Sequence, residues 1–172
     1  DLSPEDLIRR GLEKLEREPT EVVIVAPENL PTESMSDFVA VGLIPLAELS
    51  RTAPPQSKVE GYVLAYRQWL PNPHATISVR LEDDAMYPIL PAGSVVAVDR
   101  SVRDPSLLQG RLIAAQPEGR PMIRWLDVTA RHMILRPNQP SKEFPMIPIE
   151  MDADNSPIIG QVVWSWSRFG GP

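Results

Sequence analysis

The 172-residue chain contains no cysteine. That excludes a disulfide scaffold, a thiolate zinc site and a cysteine nucleophile. It contains only 2 histidines, His74 and His132. Two are too few for a multi-histidine metal centre, and neither has an evident Ser/Asp partner pattern, so both are read as surface or turn residues. No metal site and no cofactor is expected. No stretch approaches the roughly 20 consecutive apolar residues of a membrane helix, and no signal-peptide pattern is present; the expectation is a cytoplasmic protein with no membrane partner. Positive charge is in short supply. Lys and Arg number 17 against 23 Asp and Glu, a net charge of −6, which is unfavourable for gripping nucleic acid through a broad basic face. Glycine-rich phosphate-binding motifs are also missing.

Proline, by contrast, is abundant. The 20 prolines are roughly twice ordinary usage and argue against an all-helical protein. Residues 1–19 read as one amphipathic helix. Ser3 is the N-cap, Pro4 the first helical position, Ile8, Leu12 and Leu15 the apolar face, and Pro19 the stop. This helix is expected to be a linker, or the tail of an N-terminal domain lying upstream of Asp1. From Glu21 the texture changes to short β-rich runs divided by Pro, Gly, Asn and Asp. The expected strands are Val22–Ala26, Phe38–Leu43, Gly61–Tyr66, Thr76–Leu81, Val95–Asp99, Arg111–Ala115, Met122–Leu126, Met133–Arg136 and Ile158–Trp166. The segment Leu49–Lys58, with Pro54 and Pro55, is the expected mobile loop. The fold class is therefore mainly β with a short N-terminal helix, and residues 20–172 form one domain.

The informative segment is Leu81–Ser101, LEDDAMYPILPAGSVVAVDRS. It resembles the C-terminal domain of LexA and the phage repressors, a family of self-cleaving regulators. That family carries a Gly-Asp-Ser-Met-x-Pro turn, and here the turn reads Asp83-Asp84-Ala85-Met86-Tyr87-Pro88. The likeness continues through Gly93–Asp99, Gly110–Ala115, Met122–Leu126, Leu135-Arg136-Pro137-Asn138 and Ile158–Val163. It covers roughly residues 40–168.

The departures matter as much as the matches. In the family a serine attacks a peptide carbonyl and a lysine removes its proton. Ala85 stands at the serine position and has no oxygen with which to form an acyl-enzyme. Arg124 stands at the lysine position, and a guanidinium keeps its proton in proteins, so it cannot act as the base. The resemblance also implies a cleavage loop before the serine position, which here falls near Arg51, Thr52, Ala53 and Pro54. No Ala-Gly or Cys-Gly pair occurs before Ala85, and proline on the leaving side of a bond distorts an extended substrate strand. Two readings of Ala85 stand: a dyad lost naturally, or a serine replaced to trap an active peptidase. Arg124 is also within reach of a second role, as an ion-pair partner of Asp83 or Asp84.

Other features are weaker. Asp152–Ser156 has a faint calcium-loop spacing, but Pro157 and Val163 occupy the positions that need glycine and glutamate. Trp125, Trp164 and Trp166 lie on expected strands and are read as packing residues. The resemblance implies a homodimer that meets operator DNA through an N-terminal helix-turn-helix domain, with this chain as the dimerisation and regulatory part. Apolar residues on both faces of Ile158–Trp166 place Ile159, Val162 and Trp164 at the expected dimer interface. A module that senses a peptide or protein signal through a non-catalytic cleft is the reading from another class.

Overall fold

The computed structural model describes residues 24–26, 37–52, 54–151 and 156–167. The helix expected over 1–19 and the rejected calcium-like stretch at 152–155 lie outside the described residues. Ten strands run in chain order: β1 Ile24–Val25, β2 Phe38–Ile44, β3 Gly61–Tyr66, β4 Thr76–Arg80, β5 Val95–Asp99, β6 Leu112–Ala115, β7 Met122–Val128, β8 His132–Arg136, β9 Ile147–Glu150 and β10 Ile158–Trp166. Every helical piece among the described residues is a three-residue 3₁₀ turn, as the density of proline dictates. The protein is strand-rich, as its composition and turn punctuation imply.

The strands form one sheet in the order β1-β3-β2-β4-β5-β10-β6-β7-β8-β9. All neighbours are antiparallel except β2 and β4. β5 is apolar apart from its last residue and is buried along its whole length; such a run suits a strand covered on both faces. β3 instead alternates buried and half-buried positions and has one face in the core. β10 lies between β5 and β6, and its register shifts once on each side. Gly160 lies in β10, where a Cβ would come within 2.3 Å of the Asp99 carbonyl oxygen. Only glycine lets the two backbones approach so closely.

β9 is the strand that sequence periodicity does not reveal, because Pro148 interrupts it. Proline is tolerated here because β9 lies at the edge of the sheet and, among the described residues, pairs with β8 alone. The segment expected to be a mobile loop starts in the interior: Leu49 is fully buried, and the Glu48 carboxylate holds Arg51 at 2.8 Å.

Two main apolar clusters form the core. One joins Ile44, Val79, Val96, Val98, Ile123 and Ile159 to Met86 and Leu90 from the turn between β4 and β5. The other joins Leu108, Ile113, Leu126, Met133, Leu135 and Ile158. The first cluster positions the site, since the β4–β5 turn is held down by its own buried Met86 and Leu90.

Candidate functional site

The turn after β4 is a closed excursion. The Leu81 N–H donates to the Ser94 carbonyl at 2.8 Å, and the Gly93 N–H donates back to Leu81 at 2.9 Å. Both aspartates shape it. The Asp83 Oδ1 accepts the Ala85 N–H at 3.1 Å, and the Asp84 Oδ1 accepts the Ala92 N–H at 2.9 Å; Asp-to-backbone bonds of this type are what make aspartate a turn former. The Tyr87–Pro88 peptide is cis. The loop after β8 then covers the turn. Asn138 donates its backbone N–H to the Ala85 carbonyl at 2.8 Å and its side-chain amide to the Tyr87 carbonyl at 3.1 Å.

β7 brings Arg124 to the same place. Its Nη2 lies 3.0 Å from Asp83 Oδ2 and its Nη1 3.4 Å from Asp83 Oδ1, and Nη1 also donates to the Ile123 carbonyl at 2.8 Å. The guanidinium carbon sits 5.9 Å from the centre of the Phe144 ring, within cation–π range. Arg124 is 6% exposed and its Nε has no partner among the described residues, whereas the Asp83 side chain is 39% exposed. Of the two aspartates within reach, the structure selects Asp83; Asp84 is committed to the turn.

Ala85 and Arg124 are therefore linked through Asp83, whose Oδ1 accepts the Ala85 N–H and whose two carboxylate oxygens both face the guanidinium. Asp83 stands where the turn of the resembled family has glycine. A glycine could neither neutralise a buried arginine nor occupy the N–H of residue 85. Here that N–H is already bonded, to Asp83 Oδ1. Ala85 has no side-chain oxygen to act as a nucleophile, and the Arg124 guanidinium keeps its proton. Beside this turn lies a groove of about 510 Å³ lined by Ala85, Tyr87, Gln139, Pro140, Glu143 and Phe144, among others.

The other expected site residues lie elsewhere. Arg51 and Thr52 are exposed, and their carbonyls accept from Arg100 at 2.6 and 3.1 Å. Arg100 follows β5, whereas the Ala85 turn leaves from the opposite end of the β4–β5 ladder, where Arg80 faces Val95. Ala53 lies outside the described residues, and Pro54 is half-buried. Ile159 is 6% exposed and belongs to the first core cluster, so of the three expected interface residues only Val162 and Trp164 offer surface. Those two line a shallow groove with Ile89 and Leu112. Trp164 is also stacked on Trp69, with ring centroids 4.4 Å apart. Trp125 packs on the core and directs its indole N–H at Asn138. His74 lies in a 3₁₀ turn and His132 opens β8.

A second polar cluster caps β5. Asp99 is 2% exposed. It accepts from Asn72 Nδ2 at 2.8 Å, from the Ser101 N–H at 2.9 Å and from the Ser101 hydroxyl at 2.6 Å. Burial works to raise its pKa, but the bonds from Ser101 and Asn72 outweigh burial and hold it below the ordinary 3.8.

The sheet and the capped β4–β5 turn facing a charged residue on β7 define the class, a strand-rich domain of peptidase-like plan. The family model described as Peptidase S24-like matches residues 43–163. The chain belongs to that family, the one that includes the C-terminal domains of LexA and phage repressors. No curated protein matches the chain.

Proposed function

We propose that this chain is a non-cleaving Peptidase S24-like domain that serves as the dimerisation and regulatory part of a cytoplasmic transcriptional repressor. Operator DNA would be met by a helix-turn-helix domain N-terminal to it, and a peptide or protein signal would be received at the groove beside Ala85. The observation that carries the reading is the Asp83–Arg124 pair at 3.0 Å. Three positions depart from the family pattern together. Ala85 removes the nucleophile and Arg124 removes the base. Asp83 neutralises the arginine and occupies the N–H of residue 85. A replaced serine would account for Ala85 alone; it would not bring an aspartate to a buried arginine. The half-buried Val162 and Trp164 on β10 are the proposed subunit contact.

The test is alkaline incubation followed by native mass spectrometry, which reads chain integrity and oligomeric state together. The chain should stay intact and run as a dimer. Ala85→Ser should also stay intact, because arginine does not release its proton. Ala85→Ser combined with Arg124→Lys should stay intact as well, since the Asp83 carboxylate would favour the charged form of the new lysine. Cleavage of Ala85→Ser alone would establish the trapped-peptidase reading instead. A monomer at micromolar concentration would remove the dimerisation role.

A further inference from the structure

A cavity of about 750 Å³ opens at the far side of the second core cluster. It shares no lining residue with the groove at Ala85 or with the groove at Val162. Its apolar wall is Met122 from β7, Ile147 and Ile149 from β9, and Ile158 from β10. Its polar wall carries Arg103, Arg120 and Gln116. The volume falls in the range of small-molecule sites, which pair an apolar lining with a few placed polar groups.

Hydrogen bonds fix the rim. The Gln116 N–H donates to the Pro157 carbonyl at 2.8 Å, continuing the β6–β10 ladder, and the Gln116 amide holds the Gly119 carbonyl at 3.1 Å. That bond folds a rim turn in which Glu118 adopts φ 50, a left-handed conformation that non-glycine residues take up only where the surroundings enforce it. On the other side Arg103 Nε donates to the Arg100 carbonyl at 3.3 Å. Arg100 in turn clamps the carbonyls of Arg51 and Thr52, next to Ser50 on the rim. Among the described residues neither Arg103 nor Arg120 takes part in an ion pair. Among the described residues that line the cavity, two arginines outnumber one glutamate, Glu118, in a chain whose net charge is −6.

We infer that this cavity is a binding site for a small amphipathic anion, with an apolar body lying on Met122, Ile149 and Ile158 and a carboxylate held by Arg103 and Arg120. Arginine is suited to a planar carboxylate because its donors match the two oxygens. The apolar wall supplies the burial that a bare anion cannot use. The inference is independent of the function proposed for the Ala85 region.

Three probes separate the contributions: octanoate, 1-octanol and inorganic phosphate. Each is titrated calorimetrically into the chain and into Arg103→Gln and Arg120→Gln, two exposed positions whose replacement leaves the core untouched. In parallel, the methyl resonances of ¹³C-methyl methionine are followed. Octanoate should bind more tightly than either octanol or phosphate. It should move the Met122 methyl and leave that of Met86, which is buried in the other cluster, in place. Each arginine variant should weaken octanoate by about tenfold or more, the worth of a charge-assisted bond, and leave octanol unchanged. A Met122 methyl that does not respond to millimolar octanoate would overturn the site. Octanoate affinity unaltered in both arginine variants would overturn the anion assignment, and phosphate binding as tightly as octanoate would overturn the amphipathic one.

Discussion

Arg124 is buried and its partner Asp83 is not, and that asymmetry decides what each residue is worth. Removing the charge of Asp83 strands a guanidinium that water cannot reach, and its Nε is already without a partner among the described residues. Removing Arg124 leaves a carboxylate that keeps 39% of its side-chain exposure and can hydrate. Asp83→Asn keeps an oxygen for the Ala85 N–H and isolates the charge; it should cost about 1–3 kcal/mol in urea denaturation. Arg124→Met should cost less than Asp83→Asn, because the carboxylate it leaves behind is 39% exposed and is compensated by water. Equal costs for the two variants would refute the asymmetry. Asp99 makes the complementary case, a buried carboxylate with its donors in place. Its folded pKa lies below the ordinary 3.8, so its contribution is complete above that value and is lost as pH falls through the folded pKa. Asn72→Ala removes one donor. The Asp99 pKa should rise, as read by carboxyl carbon NMR, and neutral-pH stability should fall by about 1 kcal/mol. The acid-unfolding midpoint should move to higher pH.

Among the strands, β10 carries the tightest constraint. It is held between β5 and β6, and its glycine lies against the β5 backbone. Gly160→Ala would force a Cβ to within 2.3 Å of the Asp99 carbonyl oxygen, a contact that backbone must relieve by moving. A loss of more than about 2 kcal/mol is expected, visible as a large drop in Tm. Gly42→Ala is the control: its Cβ would meet only side chains at 3.9 Å, so the Tm should change little. The same contrast explains what was legible beforehand. β3, β5 and β10 announce themselves through β-branched and apolar runs bounded by turn residues. β9 does not, because Pro148 breaks the pattern and only its edge position makes the proline harmless. In the site, Ala85 and Arg124 are legible through family spacing, and Asn138 through the Leu-Arg-Pro-Asn turn. The selection of Asp83 over Asp84 is not, since it depends on a contact across 41 residues. Phe144 has no local signal at all; it reaches Arg124 only because the loop after β8 folds back over the turn. Ile159, read from its apolar strand as an interface residue, is 6% exposed and packs in the first core cluster, a placement that depends on which strands flank β10.

At the scale of the whole molecule, the distribution of charge separates what this chain can do from what it must delegate. The net charge is −6, and Arg124 and Arg136 are paired to carboxylates. Arg103 and Arg120, which form no ion pair among the described residues, face a cavity of about 750 Å³, not an extended stripe. Duplex DNA carries one negative charge per roughly 1.7 Å of axis, and a protein gains affinity by replacing its counterions with several basic groups set along that line. Two arginines on a cavity wall do not provide that geometry, and the overall charge opposes approach. The chain by itself should therefore leave a 30-base-pair duplex unshifted in gel electrophoresis at about 50 mM salt, a condition that favours non-specific binding. Under the proposed division of labour, fusing a helix-turn-helix domain ahead of Asp1 should restore binding, and with it a steep salt dependence. The dimer would further set the spacing of the two half-sites at about one helical turn or a multiple of it. Duplex binding by the chain alone, with affinity falling steeply as salt rises, would place phosphate contacts within these residues and undo that division.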